Sequence, residues 1–169
     1  RVASGNAGIK NFMGAIADPV ANTPHVGPLP TDDELEPYGL NPAQSEAIKK
    51  VVANRSFGLV QGPPGTGKTK FIAALVHYAL QKNLIRNVLI ASQSHEAVNN
   101  ATEAVLKLFS SEEDAPSLMR VGNEAVVSEP LMPFHSQQLE MLFKDRFRAE
   151  FRLRVEKILK YVGDFDSMF

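Results

Sequence analysis

The chain has 169 residues, 44% of them apolar and 22% charged, a length and balance that suffice for one globular domain with a buried core. Eighteen lysines and arginines against nineteen acids leave a net charge of −1, which excludes a uniformly basic nucleic-acid binder but not a local basic patch. Cysteine is absent, so disulfides, thiolate metal sites and thiol catalysis are excluded, and no apolar run reaches the roughly 18 residues of a membrane helix. A reducing intracellular compartment, the cytoplasm first, is the expected location. The chain opens on Arg1 rather than Met and shows no signal-peptide pattern, which reads as a piece of a longer protein.

Residues 1–39 read as a proline-rich connector or tail, because Pro19, Pro24, Pro28, Pro30 and Pro37 break any long element. Within it Ile9 to Ala17 could form a short helix, and residues 18–38 read as extended. Asn41 is a cap with Pro42 at the first helical position, predicting a helix to about Ala53. Phe57 to Val60 is a short apolar run ending in a glycine-rich turn, the pattern of a buried strand. Residues 68–82 then carry a helical stripe of Ile72, Leu75, Val76, Ala79 and Leu80. Asn87 to Ala91 reads as a second buried strand, residues 95–109 as a second helix, and Ser117 to Val121 as a third strand. Strand and helix in alternation predict a parallel sheet with helices on both faces.

The last forty residues break that rhythm. Phe143, Phe147, Phe151, Val155, Ile158 and Val162 recur at spacings of four, four, four, three and four, an amphipathic helix. Residues 144–160 hold seven cations and three anions, and seven minus three leaves a surplus of four. A helical hairpin with residues 135–143, or an outside neighbour, is expected to cover the aromatic stripe. That gives a core over 40–122 and a helical insertion over 123–169.

Between the first strand and its helix stands Gly62-Pro63-Pro64-Gly65-Thr66-Gly67-Lys68-Thr69, the phosphate-binding loop pattern of glycine, four residues, then glycine-lysine-threonine. Gly65 and Gly67 let the backbone curl so that several N–H groups face an anion. The following helix points its positive end at the same place. Lys68 is expected to reach the β- and γ-phosphates and the Thr69 hydroxyl to ligate Mg²⁺. Pro63 and Pro64 stiffen the approach to the loop. The alternative is a glycine-proline strand-to-helix turn without a ligand.

The neighbours of the loop narrow the field. Upstream is Leu40-Asn41-Pro42-Ala43-Gln44, and downstream Ala91-Ser92-Gln93-Ser94-His95-Glu96-Ala97-Val98-Asn99. With the loop between them, the sequence resembles superfamily 1 helicases, in the branch of the nonsense-mediated decay helicase and related DNA and RNA helicases. The resemblance covers about residues 40–122 and implies the first part of a RecA-like motor domain. It implies that Gln44 reads the adenine edge, as an amide can, against the alternative of an exposed helix glutamine. It also implies that Ser92, Ser94 and Asn99 hold the phosphates of a single strand, against the alternative that Ser92 or Ser94 merely caps a helix. His95 stands where the family usually has asparagine, and Asn99 where it often has aspartate.

Hydrolysis in this family needs a buried strand ending in Asp-Glu. Asp33-Glu34 precedes the loop, Glu113-Asp114 sits in an acidic loop, and Asp164-Phe165-Asp166 follows a helix, so none qualifies. The four histidines, His25, His77, His95 and His135, show no metal-ligand spacing. The expectation is therefore an ATP- and Mg²⁺-binding piece of a helicase or translocase. Its partners would be single-stranded DNA or RNA and a second motor domain. Rival readings are an AAA-type ATPase that remodels proteins, a small-molecule phosphotransferase and a non-catalytic nucleotide-gated module.

Overall fold

The computed structural model describes residues 29–53, 58–110 and 114–166. The expected helix at Ile9 to Ala17 lies outside them, as do Phe57 and Glu113. The chain divides into two compact units. One takes in residues up to Ile90 together with Ala104–Ser110, the other Ala91–Glu103 and the residues from Ser111 on.

In the first unit, the part of the expected connector that is described is not extended. Thr31 opens a short helix, α1 (Asp32–Leu35), with a complete capping box: the Thr31 hydroxyl accepts from Glu34 N, and the Glu34 carboxylate accepts from Thr31 N. A 3₁₀ turn over Glu36–Tyr38 follows and ends on Gly39 at φ 56°. Helix α2 (Pro42–Ala53) and helix α3 (Lys68–Gln81) match the sequence reading closely, because each has a decisive start: Pro42 behind Asn41, and the glycine loop before Lys68.

The core of this unit is the meeting of α1, α2 and α3. Leu35, Ile48, Val52, Phe71, Ala74 and Tyr78 are all buried, and Tyr38, Leu40, Ala47, Leu75 and Leu84 pack against them. Each large side chain so buried stabilises by roughly 1.5–3 kcal/mol. Polar ties frame the same contact. Glu34 accepts from the Tyr78 hydroxyl at 3.1 Å and pairs with Lys82 at 2.6 Å, and Asp32 pairs with Lys49 at 2.7 Å.

Helix α4 (His95–Leu106) begins in the second unit, and its last turn belongs to the first. The second unit also holds 3₁₀ turns over Glu124–Val126 and Glu129–Phe134 and the long helix α5 (Ser136–Asp166). Its buried centre is polar as well as apolar. Ala101 and Leu131 are buried, and so are Asn99, Thr102, Arg120 and His135. Arg120 Nε donates to Asn99 Oδ1 at 3.0 Å, Asn99 Nδ2 donates to Val126 O at 2.9 Å, and His135 Nε2 donates to Gly122 O at 2.9 Å.

Two expectations about the fold class are corrected. No strand is present among the described residues, and the RecA-like parallel sheet expected from the runs at 57–60, 87–91 and 117–121 is not there. Among the described residues, β-type backbone pairing consists of one isolated parallel bridge between Arg120 and His135, made by Arg120 N to Phe134 O and Ser136 N to Arg120 O. The reason is that an apolar run is not yet a strand. A strand exists through a ladder partner: the 117–121 run has only that single bridge, and in the other two Leu59 is 85% exposed and Leu89 90%. The second correction concerns the C-terminal hairpin. Residues 136–166 form one uninterrupted helix, because residues 136–162 contain neither glycine nor proline to turn the chain. Local ion pairs reinforce it, Glu140 with Lys144 at 2.6 Å and Arg146 with Glu150 at 3.2 Å. No helix among the described residues is long and apolar enough to cross a membrane.

Candidate nucleotide-phosphate site

The loop of residues 62–69 is built by two left-handed glycines and one lysine. Gly65 has φ 78° and Gly67 φ 76°, a region that costs L side chains roughly 1–2 kcal/mol. Between them Thr66 folds back, its hydroxyl donating to Pro63 O at 2.8 Å and its N–H to the same carbonyl at 3.4 Å. Gly67 is the N-cap of α3 and makes no side-chain cap. The first N–H groups of α3 therefore look out of the helix start without intrahelical partners. Lys68 turns its ammonium over the loop and donates to Gly62 O and Pro63 O, both at 2.8 Å. A Cβ on Gly62 would stand 2.8 Å from Thr66 Oγ1, so a side chain there would push the Thr66 hydroxyl aside.

Such a loop suits an anion. It has a helix N-terminus, a lysine that is already directed at it, and at Gly65 open space, where an added Cβ would meet nothing within 4 Å. Thr69, in the first turn of α3, is exposed and offers a hard hydroxyl oxygen, the donor type that Mg²⁺ takes. Among the described residues no group of three or more His, Asp or Glu side chains could hold a metal ion by itself.

Gln44 belongs to the same place. Asn41 and Gln44 cap α2 reciprocally: Asn41 N donates to Gln44 Oε1 at 3.0 Å and Gln44 N donates to Asn41 Oδ1 at 2.8 Å. The other end of the Gln44 amide, Nε2, donates to Thr66 O at 2.9 Å. The structure thus brings Gln44, Thr66 and Gly67 together across more than twenty residues of sequence. Lys70, in the first turn of α3, donates its ammonium to Gly39 O and ties the approach to α2 to the same helix.

Ser92, Ser94 and Asn99 belong to the second unit. Ser94 Oγ accepts from Ala97 N at 3.3 Å as the cap of α4, and Ser92 Oγ accepts from Ser94 N at 3.2 Å; both serines are exposed. Asn99 is buried, and both ends of its amide are engaged within the unit. The polar centre around it was not legible beforehand: nothing in the sequence marks Arg120 or His135 as buried. Arg120 Nη2 and His135 Nδ1 find no protein partner among the described residues.

A glycine-curled loop, a lysine over it and a helix behind it define a phosphate-loop nucleotide-binding protein. Comparison with known proteins sharpens this class. A family described as an AAA domain matches residues 39–162, and the chain belongs to it. Most of the relatives found are named helicases, in line with the resemblance. The chain is 32% identical over 145 residues to the ATP-dependent helicase MJ0104 of Methanocaldococcus jannaschii, covering 79% of this chain and 21% of that protein. It is 44% identical over 68 residues to the Regulator of nonsense transcripts 1 of Caenorhabditis elegans, 40% of this chain and 6% of that one. It is 34% identical over 101 residues to the DNA replication ATP-dependent helicase/nuclease DNA2 of Homo sapiens, 60% of this chain and 9% of that one. The chain thus spans about a fifth of the length of the first relative and less than a tenth of the other two. No solved structure matches it.

Proposed function

We propose that residues 62–69 bind the β- and γ-phosphates of Mg-ATP and that the chain is part of an ATP-dependent helicase or translocase motor acting on single-stranded DNA or RNA. The observation that carries the reading is the Lys68 ammonium held over Gly62 O and Pro63 O, at the start of a helix whose first amides are free. When nucleotide arrives, exchanging two carbonyls for phosphate oxygens replaces neutral acceptors by charged ones, and hydrogen bonds to charged groups are the stronger. Gly65 and Gly67 let the backbone come close, and Thr69 would hold the Mg²⁺, which neutralises phosphate charge when bound. Exposed Ser92 and Ser94 are the side chains proposed to contact a nucleic-acid phosphate, while Asn99 would support them from within. The relatives named as helicases support this over a protein-remodelling ATPase.

A motor of this type hydrolyses ATP between two domains with an Asp on the metal and a neighbouring Glu activating water, whereas the Asp-Glu pair of this sequence, Asp33-Glu34, stands before the loop and lies in a helix. The chain alone should therefore bind nucleotide and turn over little of it. Titration calorimetry with Mg-ADP tests the first half. Lys68→Ala removes charge-assisted bonds worth about 1.5–3 kcal/mol, so binding should weaken roughly ten- to hundredfold. Wild-type protein that is folded yet takes up no nucleotide would sink the reading. Brisk ATP turnover by the 169-residue chain would contradict the second half.

A further inference from the structure

We infer that Arg120 is a positioning residue for the proposed nucleic-acid contact: through Asn99 it fixes the start of α4, where Ser92 and Ser94 stand. This rests on the serine contact proposed above and assigns it a support that no relative's name implies.

Arg120 is only 6% exposed, and a guanidinium stays protonated. Among the described residues its side chain meets neutral oxygens and no carboxylate. Nε donates to Asn99 Oδ1 at 3.0 Å and Nη1 donates to Val121 O, while Nη2 finds no protein partner. As a source of stability alone this is a poor arrangement, since the charge is desolvated without a counter-charge.

The guanidinium does one thing that an apolar side chain cannot: it orients an amide. Asn99 Nδ2 donates to Val126 O at 2.9 Å, and Oδ1 faces Arg120. A flipped amide would set N–H against the guanidinium N–H and oxygen against the Val126 carbonyl. Asn99 stands in the second turn of α4, so holding it at both ends fixes the rotation of the helix about its axis. The first turn passes that on to the serines. Ser94 O accepts from Val98 N at 3.3 Å, Ser94 Oγ from Ala97 N at 3.3 Å, and Ser92 Oγ from Ser94 N at 3.2 Å. In each serine bond the hydroxyl is the acceptor, which leaves its O–H to donate to a phosphate oxygen.

Arg120 is itself anchored to the start of α5. Its N–H donates to Phe134 O at 2.8 Å, its carbonyl accepts from Ser136 N at 3.0 Å, and His135 Nε2 donates to Gly122 O at 2.9 Å. Gly122 has φ 148°, and a Cβ on it would stand 3.1 Å from Arg120 Nη1, so the glycine leaves room for the guanidinium. The start of α5 holds Arg120, and Arg120 holds α4, all within the second unit.

The test measures binding of a fluorescein-labelled oligothymidylate to the full chain by anisotropy, with Mg-ADP calorimetry alongside. Arg120→Met keeps a similar length and loses both side-chain bonds. Oligothymidylate affinity should fall about tenfold while Mg-ADP affinity stays within about twofold. A positioning residue acts through the serines, so its effect should not add to theirs. The double variant Arg120→Met/Ser94→Ala should bind within about twofold of the weaker single variant. Losses that multiply overturn the inference. Leu131→Ala, which opens the buried centre of the same unit, should lower the melting temperature and leave oligothymidylate affinity within about twofold. If it weakens binding as much as Arg120→Met does, the role of Arg120 is merely structural and the inference fails. Should Arg120→Met not fold, Asn99→Ala takes its place in the same cycle, and multiplying losses again overturn the inference. Wild-type chain that binds no oligothymidylate, or Ser94→Ala that binds it normally, refutes the serine contact and this inference together. A weakened Ser94→Ala beside a normal Arg120→Met refutes the inference alone.

Discussion

Gly65 and Gly67 sit two positions apart, with nearly the same dihedral angle, φ 78° and φ 76°, yet they meet different surroundings. An alanine at either position bears the left-handed penalty of roughly 1–2 kcal/mol. At Gly65 nothing lies within 4 Å of the new Cβ, so Gly65→Ala should cost about that and no more. At Gly67 the new Cβ meets the Gln44 amide nitrogen at 2.9 Å. Gly67→Ala must therefore also displace a hydrogen-bonded side chain, and losing that bond adds about 1 kcal/mol. Urea denaturation of the two variants, side by side, should rank Gly67→Ala as the more destabilising. Equal losses would mean that the Gln44 contact is soft. The pattern of the loop alone names both glycines but cannot rank them, because the difference lies in a residue far away in the sequence.

At the level of elements, what was legible followed from local signals. Helices α2, α3 and α4 begin where caps and the glycine loop place them, and their stripes have the helical period. Helix α1 carried a readable signal too, Thr31 three residues before Glu34, which the proline-rich composition around it overshadowed. Strands were not legible, since they depend on partners distant in sequence: the apolar runs at Leu59 and Leu89 are as hydrophobic as strands and stand exposed. In the site, the phosphate loop and its lysine were readable from type and spacing, whereas the bond from Gln44 to Thr66 depends on how α2 packs on α3. The same packing makes α1 testable. Leu35 is 2% exposed in the core between α2 and α3, so Leu35→Ala should cost about 2–5 kcal/mol, read as a lower urea midpoint. Thr31→Ala, which opens only the cap, should cost about 1 kcal/mol. If the Leu35 variant were as mild as the Thr31 variant, α1 would be an appendage rather than part of the core.

Across the whole molecule, two titrating groups make acid the direction of weakness. Glu34 is drawn down from 4.5 to about 2, chiefly by its bond to Lys82, then by the Thr31 N–H and the Tyr78 hydroxyl. Tyr78 moves the opposite way, up to about 12, through burial and its bond to Glu34. A carboxylate with a depressed pKa contributes stability that is present above its unfolded value and is lost as pH falls from about 4.5 toward 2. His77 lies above that window. Its Nδ1 is 2.7 Å from the Tyr38 hydroxyl, its ring leans on Phe109 at 4.6 Å, and burial pushes its pKa below 6.5, with a backbone bond to Leu108 opposing. Folding prefers the neutral ring, so its contribution is complete above pH 6.5 and declines as pH drops through that value. The two windows are separable by mutation. The urea midpoint of the wild-type chain should fall in two stages from pH 7.5 to pH 3. Replacing His77 by Gln should flatten the upper stage and leave the lower, and Glu34→Gln should do the reverse. The Glu34 variant should also lose part of its stability at pH 7.5, where its bonds to Lys82 and Tyr78 are otherwise intact. A midpoint that stays level down to pH 5 in the wild type would remove His77 from the account. A drop below pH 4.5 that persists in Glu34→Gln would assign the acid limb to other carboxylates.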